Sequence, residues 1–104
     1  MSTKKSNAIR FLETLRGGPM TFGDLIESIR ITDEISQVVL AKKLGISKSH
    51  LCDIEKGRRL VSAERAAQFA KVLGYSMNQF IAMAIEGELR KAGMPYKVTL
   101  NEAA

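Results

Sequence analysis
Apolar side chains recur along this chain at intervals of three and four residues, the spacing that gathers them on one face of a helix. Ile9, Leu12 and Leu15, with Phe11 beside them, predict a short amphipathic helix over 7–16, stopped by Gly17, Gly18 and Pro19. Phe22, Leu25, Ile26 and Ile29 form the stripe of a second helix. Thr21 opens it, Asp24 has the spacing of a capping box, and it is expected to run to about Glu34. Ser36 starts a third helix that ends at Gly45, and Ser47 starts a fourth that runs to about Lys56 and meets Gly57. Ser62 and Gly74 bracket a fifth. Ser76 and Gln79 match the S-x-x-Q capping box at the head of a sixth, in which Gly87 is a weak spot. Beyond Pro95, Tyr96, Val98 and Leu100 alternate with Lys97 and Thr99, a strand-like pattern. No other strand is legible, so the expected class is all-α with a short extended C-terminal tail.

Length divides this pattern. The 104 residues fit one domain with short extensions: an N-terminal extension over 1–20, a helical domain over 21–89 and a tail over 90–104. Hydrophobic residues make up 45%, aromatics 6%, and Trp is absent, so the core must be mainly aliphatic. Cys52 is the sole cysteine, which excludes an internal disulfide and suggests a reducing compartment. No apolar run approaches the roughly 20 residues of a membrane helix, and no signal core follows the N-terminus. A cytoplasmic protein without a membrane partner is expected.

Charge adds a location. The net charge is +5, and residues 42–59 hold Lys42, Lys43, Lys48, Lys56, Arg58 and Arg59 against Asp53 and Glu55, so most of the excess lies in this stretch. Clustering of this kind suits phosphate binding, although a solvated surface has the same composition. His50 is the only histidine. It cannot assemble a catalytic constellation or a metal site, and no glycine loop for phosphates is present, so neither enzyme activity nor a cofactor is expected. Cys52 reads most simply as a small filler residue.

The stretch SQVVLAKKLGISKSHLCDIEKG, residues 36–57, carries the most information. Ala41 is small where one helix must approach the next. Gly45 suits a tight left-handed turn. Leu40, Leu44, Ile46, Leu51 and Ile54 are placed to pack between the two helices. This is the logic of a helix-turn-helix, which holds its second helix out toward a major groove.

Arg30, Gln37, Leu40, Ala41, Gly45, Ser47, Leu51, Ile54, Glu55 and Gly57 together resemble the pattern of the lambda repressor and Cro family, also called XRE-like. The likeness extends over about 21–85. It implies a five-helix lambda-repressor-like domain over 21–89, here with an extra N-terminal helix. It also implies that Gln37 contacts phosphate through its amide, that Lys48 and Ser49 face base edges, and that Lys56, Arg58 and Arg59 hold phosphates. Asp53 falls on the remaining base-reading position. A carboxylate there can accept from cytosine N4, or can instead pair with Lys56 at i+3. Ser47 and His50 fall on the same DNA-facing segment, with contact to phosphate or simple exposure open for His50. Arg30 and Glu55 match a buried structural ion pair. Val38 and Val39 depart from the family, which is commonly polar there, and the helix over 7–16 is a candidate to cover them.

The resemblance implies a homodimeric regulator on a palindromic double-stranded DNA operator, with the helix over 47–56 in the major groove. Ile81, Met83, Ile85 and Leu89, with Tyr96 and Val98 of an exchanged tail strand, are the expected dimer contacts. Small members of the family include phage-type repressors and antitoxins that bind a toxin and repress their own operon, so a toxin protein is a candidate partner. An interaction module that neutralises a partner without specific DNA binding is the alternative, although loss of the basic cluster would be its mark. RNA reading is disfavoured because the recognition segment has no aromatic side chain.

Overall fold
The structure, a computed structural model, describes residues 20–103. The helix expected over 7–16, and the cover it would give to Val38 and Val39, lie outside the described residues. The described residues form five helices and no strand: α1 Phe22–Thr32, α2 Gln37–Leu44, α3 Lys48–Glu55, α4 Ala63–Leu73 and α5 Met77–Lys91. They gather into two compact units, one up to Arg59 with α1, α2 and α3, the other from Leu60 with α4 and α5.

Local chemistry starts each helix. Thr21 Oγ1 accepts from the Asp24 amide at 3.1 Å, and the Asp24 carboxylate accepts from the Thr21 amide at 3.1 Å, a complete capping box. Ser36, Ser47, Ser62 and Ser76 each accept from the amide three residues on. At Ser76 the box stays half made, because Gln79 Oε1 is buried with no hydrogen-bond partner.

Helix α1 stops at Thr32, earlier than the pattern suggests. Glu34 takes a left-handed φ of 56°, and the Ile35 amide closes the end on the Arg30 carbonyl at 3.2 Å. A side chain with a Cβ adopts that conformation at a cost, so no glycine marks this stop in the sequence.

In the first unit α1 and α2 both pack on α3. Phe22, Leu25, Ile26 and Ile29 of α1 are buried, as are Leu40 and Ala41 of α2 and Leu51 and Ile54 of α3. Leu44 and Ile46, expected in the same core, are half-buried. Gly23 permits the approach of α1 to α3: a Cβ there would collide with the Ile54 carbonyl oxygen and lie 3.0 Å from that of Glu55.

In the second unit Ala66, Phe69 and Ala70 of α4 and Phe80, Met83 and Ala84 of α5 are buried. The tail forms no strand. An isolated strand has no ladder to complete. Instead the Val98 amide donates to Glu86 Oε2 of α5 at 2.8 Å, with Lys97 Nζ 3.9 Å from the same oxygen. Glu86 is itself buried, so this carboxylate ties the tail to the helix.

The two glycines inside helices are expected to respond oppositely to alanine. At Gly87 a Cβ would meet only Leu60 Cδ2, at an ordinary 3.5 Å. Gly87→Ala should therefore raise stability by up to about 1 kcal/mol through helix propensity. Gly23→Ala should lower it by about 1–3 kcal/mol, because backbone rather than a flexible side chain stands in the way. Urea midpoints of the two variants check this, and a stabilised Gly23→Ala would overturn the close-approach account.

Candidate nucleic-acid interface
Helices α2 and α3 are joined by Gly45, Ile46 and Ser47. Gly45 has φ 73°, and the Ile46 amide returns to the Ala41 carbonyl at 3.0 Å, which turns the chain sharply. Ser47 Oγ then accepts from the His50 amide at 3.0 Å, so this hydroxyl is engaged as the cap of α3. Leu51, Ile54 and Glu55 are buried. Lys48, Ser49 and Lys56 are exposed, and Cys52 and Asp53 are half-buried. The residues at 48, 49, 52, 53 and 56 recur at helical spacing, so they form one outward stripe along α3.

A buried polar junction sets the roll of this helix. The Glu55 side chain is 0% exposed and that of Arg30 is 18% exposed. Glu55 Oε2 accepts from Arg30 Nε at 2.8 Å, and Oε1 accepts from Arg30 Nη2 at 3.1 Å and from Gln37 Nε2 at 2.9 Å. Arg30 Nη1 also donates to the Ile35 carbonyl at 3.4 Å. The bonds to Glu55 push the Arg30 guanidinium above its ordinary pKa, against the opposing effect of burial. The Gln37 amide, placed on phosphate by the resemblance, here points one donor inward. A buried carboxylate has acceptor capacity to fill, and Gln37 at the first turn of α2 fills it.

Asp53 pairs with Arg58, five residues on, in place of the i+3 lysine considered from spacing. Arg58 Nε donates to Asp53 Oδ1 at 3.0 Å, and Nη2 lies 3.0 Å from the same oxygen. Arg58 Nη2 also reaches Cys52 Sγ at 3.8 Å. The bond to Asp53 is the main cause that pushes the Arg58 guanidinium above its ordinary pKa. Arg59 is exposed, and its amide donates to the Asp53 carbonyl at 3.2 Å. His50 is half-buried on α3.

An open groove of about 560 Å³ lies beside α3, lined by Glu27, Arg30, Ser36, Gln37, Val38, Lys48, Cys52 and Lys56. Its cations outnumber its single carboxylate. Val38 and Val39 are 58% and 47% exposed, so both valines face outward. In the second unit Ile81, Ile85 and Leu89 form a half-buried row four residues apart on α5, while Met83 belongs to the core. Tyr96 is exposed and Val98 half-buried. Among the described residues no group of three or more His, Cys, Asp or Glu side chains gathers to hold a metal, and no helix is long and apolar enough to cross a membrane.

Two short helices around a left-handed glycine, the second with a polar outer stripe and a buried inner one, make a helix-turn-helix. A family model described as Helix-turn-helix matches residues 26–80, just over half of the chain. The chain belongs to this family, one of lambda repressor and Cro-type DNA-binding regulators. Two relatives come from Bacillus phage phi105. The immunity repressor protein is 36% identical over 62 residues, which cover 60% of this chain and 43% of that protein. The ImmF control region 10 kDa protein is 36% identical over 56 residues, which cover 54% of this chain and 62% of that protein. The chain thus spans about half the length of these relatives. No solved structure matches.

Removing one member of the buried junction should be far costlier than removing both. Arg30→Met leaves the Glu55 carboxylate buried beside the Gln37 amide alone and is expected to cost about 3–5 kcal/mol. Adding Glu55→Leu should restore much of that loss, since the stranded charge goes with it. Chemical denaturation of the two single variants and the double variant measures the coupling, and additive effects would refute a buried pair.

Proposed function
We propose that this protein is a sequence-specific reader of double-stranded DNA that represses transcription, including that of its own operon. The outward stripe of α3 carries the reading through Lys48, Ser49 and Asp53, because it is polar and fixed from behind by the Glu55 junction. In the complex α3 lies in a major groove with Lys48 and Ser49 at base edges. The exposed Lys42, Lys43, Lys56 and Arg59 supply phosphate contacts. Gln37 reaches phosphate through the remaining amide hydrogen and the first turn of α2, with Ser47 and His50 beside the backbone. The DNA-reading domain occupies 21–89, and the flanking segments 1–20 and 90–104 are its extensions.

A homodimer on a palindrome suits the half-buried row Ile81, Ile85 and Leu89 of α5, with the tail residues Tyr96 and Val98 as further dimer contacts. The phage relative named as an immunity repressor supports repression over the neutralising of a toxin protein. The basic outer stripe likewise favours DNA over a module that binds only protein.

Fluorescence anisotropy with duplex from the protein's own upstream region, against a scrambled duplex at about 0.15 M salt, tests this reading. Specific binding should exceed non-specific by about 10³ or more. That margin should collapse in the Lys48→Ala, Ser49→Ala double variant. Equal and strongly salt-dependent binding to both duplexes would reduce the interface to a basic surface.

A further inference from the structure
We infer that Arg58 is a positioning residue for Asp53 rather than a phosphate anchor, and that the pair presents Asp53 Oδ2 to a cytosine N4 amino group at one position of the operator. The inference rests on the reading of α3 as the DNA-facing helix.

The geometry is specific. Arg58 Nε and Nη2 both converge on Oδ1 of Asp53, at 3.0 Å each. The planar guanidinium therefore orients the carboxylate while Oδ2 receives none of these bonds. Backbone holds the arginine in place. Gly57 turns the chain at φ 77°, and the Arg58 amide returns to the Asp53 carbonyl at 2.8 Å. The side chain thus starts its path next to the residue it grips. Both partners remain accessible, at 61% for Arg58 and 41% for Asp53, so the pair can meet a ligand without rearrangement.

Charge supplies the reason for the grip. An unneutralised carboxylate on a DNA-facing helix is repelled by phosphates. Paired with Arg58, Asp53 joins the surface as a neutral unit that still offers an acceptor. A carboxylate is acceptor-only, so it selects a base edge that donates. Cytosine N4 offers a donor in the major groove, whereas the donor of adenine stands beside the acceptor N7, which repels a second oxygen. Thymine and guanine present acceptors at the corresponding edge. Cytosine is the base that this pair fits.

Binding-site selection from a randomised duplex library tests the inference, with sequencing of the pools bound by the wild type, Asp53→Asn, Arg58→Lys and Arg59→Ala. Arg58→Lys keeps the charge and loses the planar fork, so a phosphate anchor would tolerate it. The wild type should prefer cytosine at one position by about tenfold. Asp53→Asn and Arg58→Lys should both lose that preference at the same position and keep the rest of the consensus. Arg59→Ala should weaken binding to all sequences alike. Matching far-UV circular dichroism spectra establish that the variants fold. A wild-type consensus with a cytosine preference that survives Arg58→Lys, or one indifferent to Asp53→Asn, overturns the inference and leaves the DNA reading standing. A wild type that selects no sequence overturns both.

Discussion

The first unit depends on one buried carboxylate. Glu55 sits at the end of α3 with a side chain wholly out of water, where an unpaired charge would cost several kcal/mol. Its oxygens are filled by Arg30 from α1 and Gln37 from α2, so three helices meet at one group. The backbone repeats the constraint. Gly23 brings α1 against the Ile54 and Glu55 carbonyls, the same turn of α3 that carries the buried side chain. With that turn held by both routes, the roll of α3 about its axis is determined. The stripe from Lys48 to Lys56 faces outward for this reason, more than from any preference of its own residues.

The second unit uses a buried carboxylate differently. Glu86 takes a backbone amide and a lysine from the tail, and neither comes from a neighbouring helix. It therefore organises a segment without regular structure, where Glu55 organises a junction between helices.

What was legible in the sequence was local. Thr21, Ser36, Ser47, Ser62 and Ser76 mark helix starts because a side-chain oxygen needs only an amide three residues on. Gly45 and Gly74 mark ends because left-handed closure suits a residue without a Cβ. The stripes of α1 and α3 follow from periodicity. The features that escaped depend on distant parts of the chain or on conformations no residue type announces. Glu34 closes α1 as a glycine would, which a glutamate does not advertise. Gly23 matters only once α1 is known to cross the end of α3. Tyr96, Val98 and Leu100 alternate like a strand, yet without a partner strand the amide of Val98 goes to a carboxylate twelve positions earlier. Gln37 was legible as a position of the family pattern, but its inward donor follows from the acceptor capacity of Glu55.

Asp53 shows how the two levels join. From composition it is a lone acid in a basic stretch, at odds with a phosphate-binding surface. From helical spacing, Lys56 at i+3 is its natural partner. The turn at Gly57 changes the neighbourhood by sending the chain back over the last turn of α3, so that Arg58 becomes the residue in reach. The basic cluster is then not one electrostatic patch. Arg58 is committed to a neighbour on α3, whereas Lys42, Lys43 and Arg59 stand exposed. Charge exposed at the surface and charge committed to a neighbouring carboxylate are thus separated within a few residues, and it is the backbone turn, rather than the charge count, that separates them.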